Sequence, residues 1–324
     1  MKNKKNPRIS VLFQMDPFEN LNIDSDTSVN LIKEALERNI EVWVGHPKNL
    51  SFSKTKVSII AKKIINSELV LTKQKELKID KFDFYFIRQD PPIDMSYLTN
   101  CYLLELHKIF NKKPLFVNDP SGIKNFTEKI FPLYFHKLMP KSLITEDQST
   151  FLKMLRKHKN LVIKTLYNKG GEGVVKVSVR NEKDAIRKFK YIKKNYHVPV
   201  VVQEFLEDVI YGDKRVILID GKPEGVINRI PKKGEFKANL HLGGKAEASN
   251  LSNKEKKICL AIKKTLKREK LFFVGIDLIN EKLTEINVTS PTGIVQIQNI
   301  SGISIAKKLW IKLLDKVNLK LTLG

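Results

Sequence analysis

Between Gly275 and Thr292 the chain reads GIDLINEKLTEINVTSPT, which sets two carboxylates, Asp277 and Glu285, and one amide, Asn287, at D-x7-E-x-N spacing. The apolar run Leu271 to Ile279 is broken by a single acid, Asp277, and a charge inside a buried strand is costly without a partner. If Asn280, Glu281 and Lys282 form a three-residue hairpin loop, Ile279 faces Leu283 and Asp277 falls opposite Glu285. Alternation then puts Asn287 on the same face, two residues beyond Glu285. Three oxygen donors so placed suit magnesium, which keeps waters and takes one or two carboxylates together with nucleotide phosphates. The ordinary alternative is a hairpin with polar residues on a solvated face; the apolar flanks favour the interior.

Other segments carry groups that such a site would need. Lys129 lies in a predicted short helix, Asn125 to Phe131, that stops at Pro132. Lys164 ends the strand LVIK, and the glycine-rich turn TLYNKGGEGVVKVSV follows it, a pattern that lays backbone N–H groups against phosphates beside a strand-end charge. Hairpins also need glycine for positive φ, so the turn alone is weak evidence. The strand VPVVVQEF leads into Gln203-Glu204-Phe205-Leu206, a hinge whose backbone can meet a purine edge. Arg88 ends the strand FDFYFIR beside Pro91 and Pro92; its planar fork can grip a carboxylate, or it makes a local surface salt bridge. The stretch KKGEFKANLHLGGKA reads as a mobile loop over a site, with a plain surface connection as the alternative.

The elements around these residues read as α/β. Arg8 to Met15 is a buried strand, Thr27 to Arg38 an amphipathic helix and Ile40 to Gly45 a second strand, an opening that belongs to a parallel sheet. The loop Asp16 to Asp26 lies at a strand's carboxyl end, where such sheets bind ligands, and it lacks the glycine fingerprint of a dinucleotide site. Val57 to Lys78 reads as mixed strand and helix. Tyr97 to Phe110, Glu182 to Asn195, Lys254 to Arg268 and Ile303 to Lys316 read as helices, and Asp220-Gly221 as a hairpin turn.

With 324 residues, 42% of them hydrophobic, the chain can bury a core divided between two or three lobes. No apolar run approaches the roughly 18 residues of a membrane helix. The opening MKNKKNPR is basic, but the apolar stretch after it ends at Met15-Asp16, so no signal peptide is expected and a cytoplasmic protein is. Cys101 and Cys259 have neither metal-ligand spacing nor a disulfide framework. The net charge of +24 is spread as lysines along the whole chain, which reads as a solvated surface rather than a nucleic-acid module. A basic field also draws in anionic small substrates.

In order, MDPFENLNI (15–23), RQDPP (88–92), Asn125 with Glu128-Lys129, QEFL (203–206), GDKRV (212–216), RIPKKGE with NLHLGG (229–244) and FVGIDLI followed by LTEINVTSPTGI form a series. On that series the chain resembles the ATP-grasp superfamily and, within it, the bacterial glutathione synthetases, over nearly its whole length. The resemblance implies an ATP-grasp fold with a Rossmann-like parallel α/β domain at 1–122, a central lobe at 123–202 and a C-terminal lobe at 203–324. It implies that ATP phosphorylates the carboxylate of γ-glutamylcysteine and that glycine attacks the acyl phosphate, giving glutathione. Such chemistry needs placement and charge neutralisation rather than a protein nucleophile.

By the same resemblance, Lys129, Lys164, Gly170 and Gly171 meet the ATP phosphates, Glu204, Phe205 and Leu206 the adenine, and Asp213 the ribose. Asp277, Glu285 and Asn287 hold Mg2+, with Mn2+ as an alternative. Arg215, Arg229, Lys237 and Asn239 are the implied catalytic residues, Arg88 and Ser290 bind substrate, and residues 230–245 close over the acyl phosphate. A homo-oligomer, a tetramer, is implied too, without nucleic-acid or membrane partners. The chain departs from the family pattern at three places: Lys164-Thr165-Leu166-Tyr167-Asn168 replaces K-P-L-D-G, Lys237-Ala238 replaces Arg-Gly, and Val295-Gln296 replaces Arg-Glu. A ligase using another amine acceptor and a basic nucleic-acid-binding protein are the alternative readings.

Overall fold

The computed structural model describes residues 8–322, so most of the basic opening, residues 1–7, lies outside the described residues. Strand β1 (Ser10–Gln14) leads through a loop to helix α1 (Thr27–Glu37), which Asp26 caps by accepting from the Val29 N–H at 3.0 Å. Then come β2 (Glu41–Ser53), β3 (Lys56–Lys63), β4 (Lys75–Lys78), β5 (Phe84–Ile87), α2 (Met95–Phe110) and β6 (Leu115–Val117). They form one six-stranded sheet, ordered β4-β3-β2-β1-β5-β6. Strands β2, β1, β5 and β6 run parallel, while β3 and β4 add antiparallel to the edge. The expected helix content of 57–78 is absent: Lys56–Lys63 alternates buried and exposed residues at period two, and sheet pairing decides that pattern.

Helix α3 (Pro120–Asn125) starts at a proline behind the cap Asp119, five residues earlier than expected, and ends where the predicted helix was to begin. Lys129 therefore sits in a turn between α3 and a 3-10 segment, Phe131–Leu138, with Pro132 in its first turn. The next lobe is β7 (Ser142–Thr145), α4 (Gln148–His158), β8 (Asn160–Thr165), β9 (Val175–Ser178), α5 (Glu182–Tyr196) and β10 (Val200–Glu204). Its sheet is ordered β7-β10-β8-β9 and antiparallel throughout. Strands β8 and β9 flank the glycine turn as the sequence suggests; β7 and α4 were not expected.

The last lobe holds β11 (Asp213–Ile219), β12 (Lys222–Ile230), β13 (Lys245–Ala248), α6 (Asn253–Arg268), β14 (Phe273–Ile279), β15 (Lys282–Asn287), α7 (Ile294–Ser301) and α8 (Ile305–Thr322). The antiparallel sheet runs β13-β12-β11-β14-β15. Asp277 pairs with Glu285 and Gly275 with Asn287, so the expected face is present, but by a different route. The turn has two residues, Asn280 and Glu281, both at positive φ, and Ile279 pairs with Lys282. A bulge at Thr284 takes up the extra residue and restores the pairing. Helix α7, which carries Val295 and Gln296, was not expected.

Two apolar clusters tie the lobes together. One joins Val11, Phe13, Phe84 and Phe86 of the first sheet to Ile217, Ile227, Ile297, Leu309 and Trp310. The other sets Phe126, Phe131 and Met139 against Val216, Leu218, Ile276 and Ile286. No helix among the described residues is long and apolar enough to cross a membrane.

Candidate active site

A cleft of about 1110 Å³ is walled by segments of all three sheets: the loop after β1, the glycine turn, the 203–206 hinge, the loop after β12, and the β14–β15 hairpin. Asp277 lies at its base, 5% exposed. Strand pairing of Arg215 with Asp277 puts the guanidinium beside the carboxylate, with Nε to Oδ1 at 2.6 Å and Nη2 to Oδ2 at 3.1 Å. Arg229 Nη2 adds a contact to Oδ1 at 3.1 Å, and Asn287 Nδ2 donates to Oδ2 at 3.3 Å. Burial alone would raise the Asp277 pKa, but Arg215 and Arg229 outweigh it and hold the carboxyl well below the usual carboxylate range.

Asp213 shares Arg229, accepting from Nη2 at 2.6 Å. Its other oxygen, Oδ1, is buried with no partner among the described residues. Burial pushes the Asp213 carboxyl up to about 6, with the Asp277 charge adding to it and Arg229 opposing. An orphaned acceptor in a cleft wall suits a ligand hydroxyl.

Lys129 Nζ bridges Glu285 Oε1 at 3.0 Å and the Asn168 carbonyl at 2.6 Å. Burial works against its charge, yet Glu285 and Glu128 more than compensate and raise its pKa. Lys164 is opposite in balance: burial lowers its pKa despite the attraction of Glu285. Its Nζ donates to Gln203 Oε1 at 2.9 Å, and Gln203 in turn donates to Ser142 Oγ at 2.8 Å. The hinge Glu204, Phe205 and Leu206 lines the cleft, with Phe236 of the later loop edge-on to Phe205 at 5.8 Å.

Gly170 and Gly171 face the loop after β12, where Lys237 Nζ donates to Gly171 O at 2.9 Å; Asn239 lines the same wall. Ser290 donates to Asp90, which also takes Lys169. Arg88 does not line the cleft. It is buried beneath it, donating to Ser28 Oγ at 2.9 Å and to the Pro291 carbonyl at 3.1 Å. Gln203, Asn168, Asp90 and Glu128, whose Oε1 accepts from Thr289 Oγ1 at 2.6 Å, line the site although the sequence gave them no site role. All four stand in or beside the motif segments RQDPP, Glu128-Lys129, Lys164 to Asn168 and QEFL, and that placement is the signal that could have found them.

The residues fit a divalent cation. Asp277 and Glu285 face each other, and Asn287, whose Nδ2 is turned to Asp277, has an amide oxygen without a hydrogen-bond donor among the described residues. That donor set of two carboxylates and an amide is hard oxygen throughout.

Model matches cover both halves of the chain. The prokaryotic glutathione synthetase N-terminal domain matches residues 9–124, and the prokaryotic glutathione synthetase ATP-grasp domain residues 128–302. The chain belongs to the prokaryotic glutathione synthetase family. Relatives agree along most of the length: the glutathione synthetase of Brucella melitensis is 38% identical over 93% of this chain and 97% of its own. That of Agrobacterium fabrum is 36% identical over 93% and 95%. Among solved structures, D-cycloserine synthetase aligns with a TM-score of 0.67 at 12% identity, over 94% of this chain and 99% of its own. D-alanyl-alanine synthetase A of Vibrio cholerae gives 0.63 at 16%, over 95% and 98%. These two likenesses show the ATP-grasp fold. Members of the prokaryotic glutathione synthetase family are ATP-dependent carboxylate-amine ligases working with a divalent metal on small-molecule substrates.

Proposed function

We propose that this chain joins γ-glutamylcysteine to glycine at the expense of ATP, and that the cleft residues divide the work as follows. The observation that carries the reading is the convergence on one cleft of Lys129, Lys164 and two arginines around the Asp277–Glu285 pair. Lys129 and Lys164 neutralise phosphate oxygens, the hinge backbone at Glu204 to Leu206 meets adenine, and Asp213 Oδ1 accepts from a ribose hydroxyl. Asp277, Glu285 and Asn287 would hold Mg2+, which when bound neutralises charge on the transferring phosphate.

The donor carboxylate oxygen attacks the γ-phosphorus; the O–P bond forms, the bond to the β-phosphate oxygen breaks, and ADP leaves. The amine then attacks the acyl carbon, inorganic phosphate leaves, and the nitrogen loses a proton. Arg215 and Arg229 are oriented for this by Asp277 and Asp213. Arg229 spends Nη2 on the two carboxylates and Nε on the Asp213 backbone carbonyl, and keeps Nη1 for the oxygens of the acyl phosphate. Lys237 and Asn239 cover the intermediate from the loop, and Ser290 meets the donor peptide. Arg88 supports the donor site from below through Pro291.

ADP release measured with γ-glutamylcysteine, magnesium and a panel of amines tests this. Glycine is expected to stimulate it most; no stimulation by glycine would sink the assignment. Gln296 in the cleft wall, where the family pattern has an acid, makes the panel worth running with larger amines as well. A cytoplasmic location rests on the sequence and a tetramer on the resemblance, and light scattering of the purified protein checks the assembly.

A further inference from the structure

The glycine turn after β8 and the loop after β12 touch at a second point besides Lys237. His241 Nε2 lies 3.1 Å from the Gly170 carbonyl oxygen, and since a carbonyl only accepts, Nε2 carries the proton. The fit is close: Gly170 has φ of +67, and a Cβ there would stand 2.9 Å from His241 Nε2. Across the planar trans Gly170–Gly171 peptide, C=O and N–H point in opposite directions. Turning the Gly170 carbonyl to His241 therefore turns the Gly171 N–H away from it. Among the described residues that N–H has no protein acceptor, whereas the next one, of Glu172, donates to Lys169 O at 3.1 Å.

We propose that His241 is a positioning residue for phosphate: by holding the Gly170 carbonyl it presents the Gly171 N–H to a nucleotide phosphate oxygen and makes the two loops close as one cover. The proposal rests on the ligase reading above. An acyl phosphate reached by water returns the free carboxylate and inorganic phosphate, so ATP is consumed without peptide formation.

His241→Ala is expected to raise the KM for ATP about five-fold, the loss of one hydrogen bond, and to raise ADP released per peptide formed above parity. His241→Gln, whose amide N–H can reach the same carbonyl, restores both. A second readout is independent of the peptide substrates. With magnesium and a non-hydrolysable ATP analogue, trypsin cleavage at Lys232, Lys233 or Lys237 is slowed in the wild type and in His241→Gln, and stays fast in His241→Ala. If the wild type makes no peptide but shows this protection pattern, the reaction is wrong and the role of His241 stands. Wild-type ADP-to-peptide ratio and wild-type protection in His241→Ala would overturn the role.

Discussion

Asp277 and Glu285 face each other but differ in what holds them, so the same chemical change has different consequences. Asp277 is buried between Arg215 and Arg229, and making it neutral strands two cations; breaking a buried pair costs about 3–5 kcal/mol, about 4–7 °C in Tm for a chain this long. Glu285 is about a fifth exposed, and in Glu285→Gln the amide oxygen can still accept from the buried Lys129, so the change costs less, about 1–2 kcal/mol. Thermal melts and ligase assays should thus show Asp277→Asn inactive and destabilised, Glu285→Gln inactive with a near-normal melt. A fully active Glu285→Gln would refute its place in the metal site. Asp213 gives a pH signature. Its folded pKa, about 6, stands above the usual value of about 3.9, so its contribution to stability is complete below about pH 4 and is lost as pH rises through 6. Urea denaturation should show the wild type losing stability relative to Asp213→Asn between pH 4.5 and 7; no relative change would mean Asp213 is not held up. That Asp277, Glu285 and Asn287 share a face was legible because strand alternation is local. The placement of Arg88 was not, since its guanidinium is set by Pro291, 203 residues away.

Local elements were read well where one rule acted and badly where two competed. Helix α6 has a capping box, Ser252 with Glu255, and its bounds came out within a residue. At the β14–β15 hairpin the extra residue can be housed in the turn or in the strand, and both give the same Asp277–Glu285 pairing. The chain puts it in the strand, where the Thr284 hydroxyl bonds back to the Asp277 carbonyl at 3.0 Å, and keeps a tight two-residue turn. Helix α3 was displaced because Pro120 behind Asp119 is a stronger start than anything at Asn125. That helix also packs closely: a Cβ on Gly122 would lie 2.4 Å from the Glu269 carbonyl oxygen, backbone that cannot rotate away. Gly122→Ala should therefore cost about 1–3 kcal/mol. A calorimetric Tm lower by several degrees, with KM values unchanged, is the expected result; an unaltered Tm would show that the two segments are not in contact.

At the scale of the molecule, the end of the chain returns to its beginning. Trp310 of α8 is fully buried against Phe84 and Phe86 of the first sheet, ring centroids 5.7 and 5.4 Å away, and its indole N–H donates to the Leu31 carbonyl at 2.9 Å. Nothing in the periodicity of 303–316 names that partner; it follows from the tertiary course of the chain. We propose the division 1–122, 123–202 and 203–324 as a description of sheets rather than of separable folding units, because the first sheet's core is completed by α7 and α8. Two measurements bear on this. Trp310→Ala should cost about 3–5 kcal/mol, while Trp310→Phe keeps an aromatic ring there and costs less. The fragment 1–122, lacking that cover, exposes the face of β1 and β5 and should bind a hydrophobic dye without near-ultraviolet circular dichroism, the mark of lost tertiary packing. A fragment that melts cooperatively, with native dichroism and no dye binding, would show that the first sheet closes its core unaided and that α8 only docks onto it.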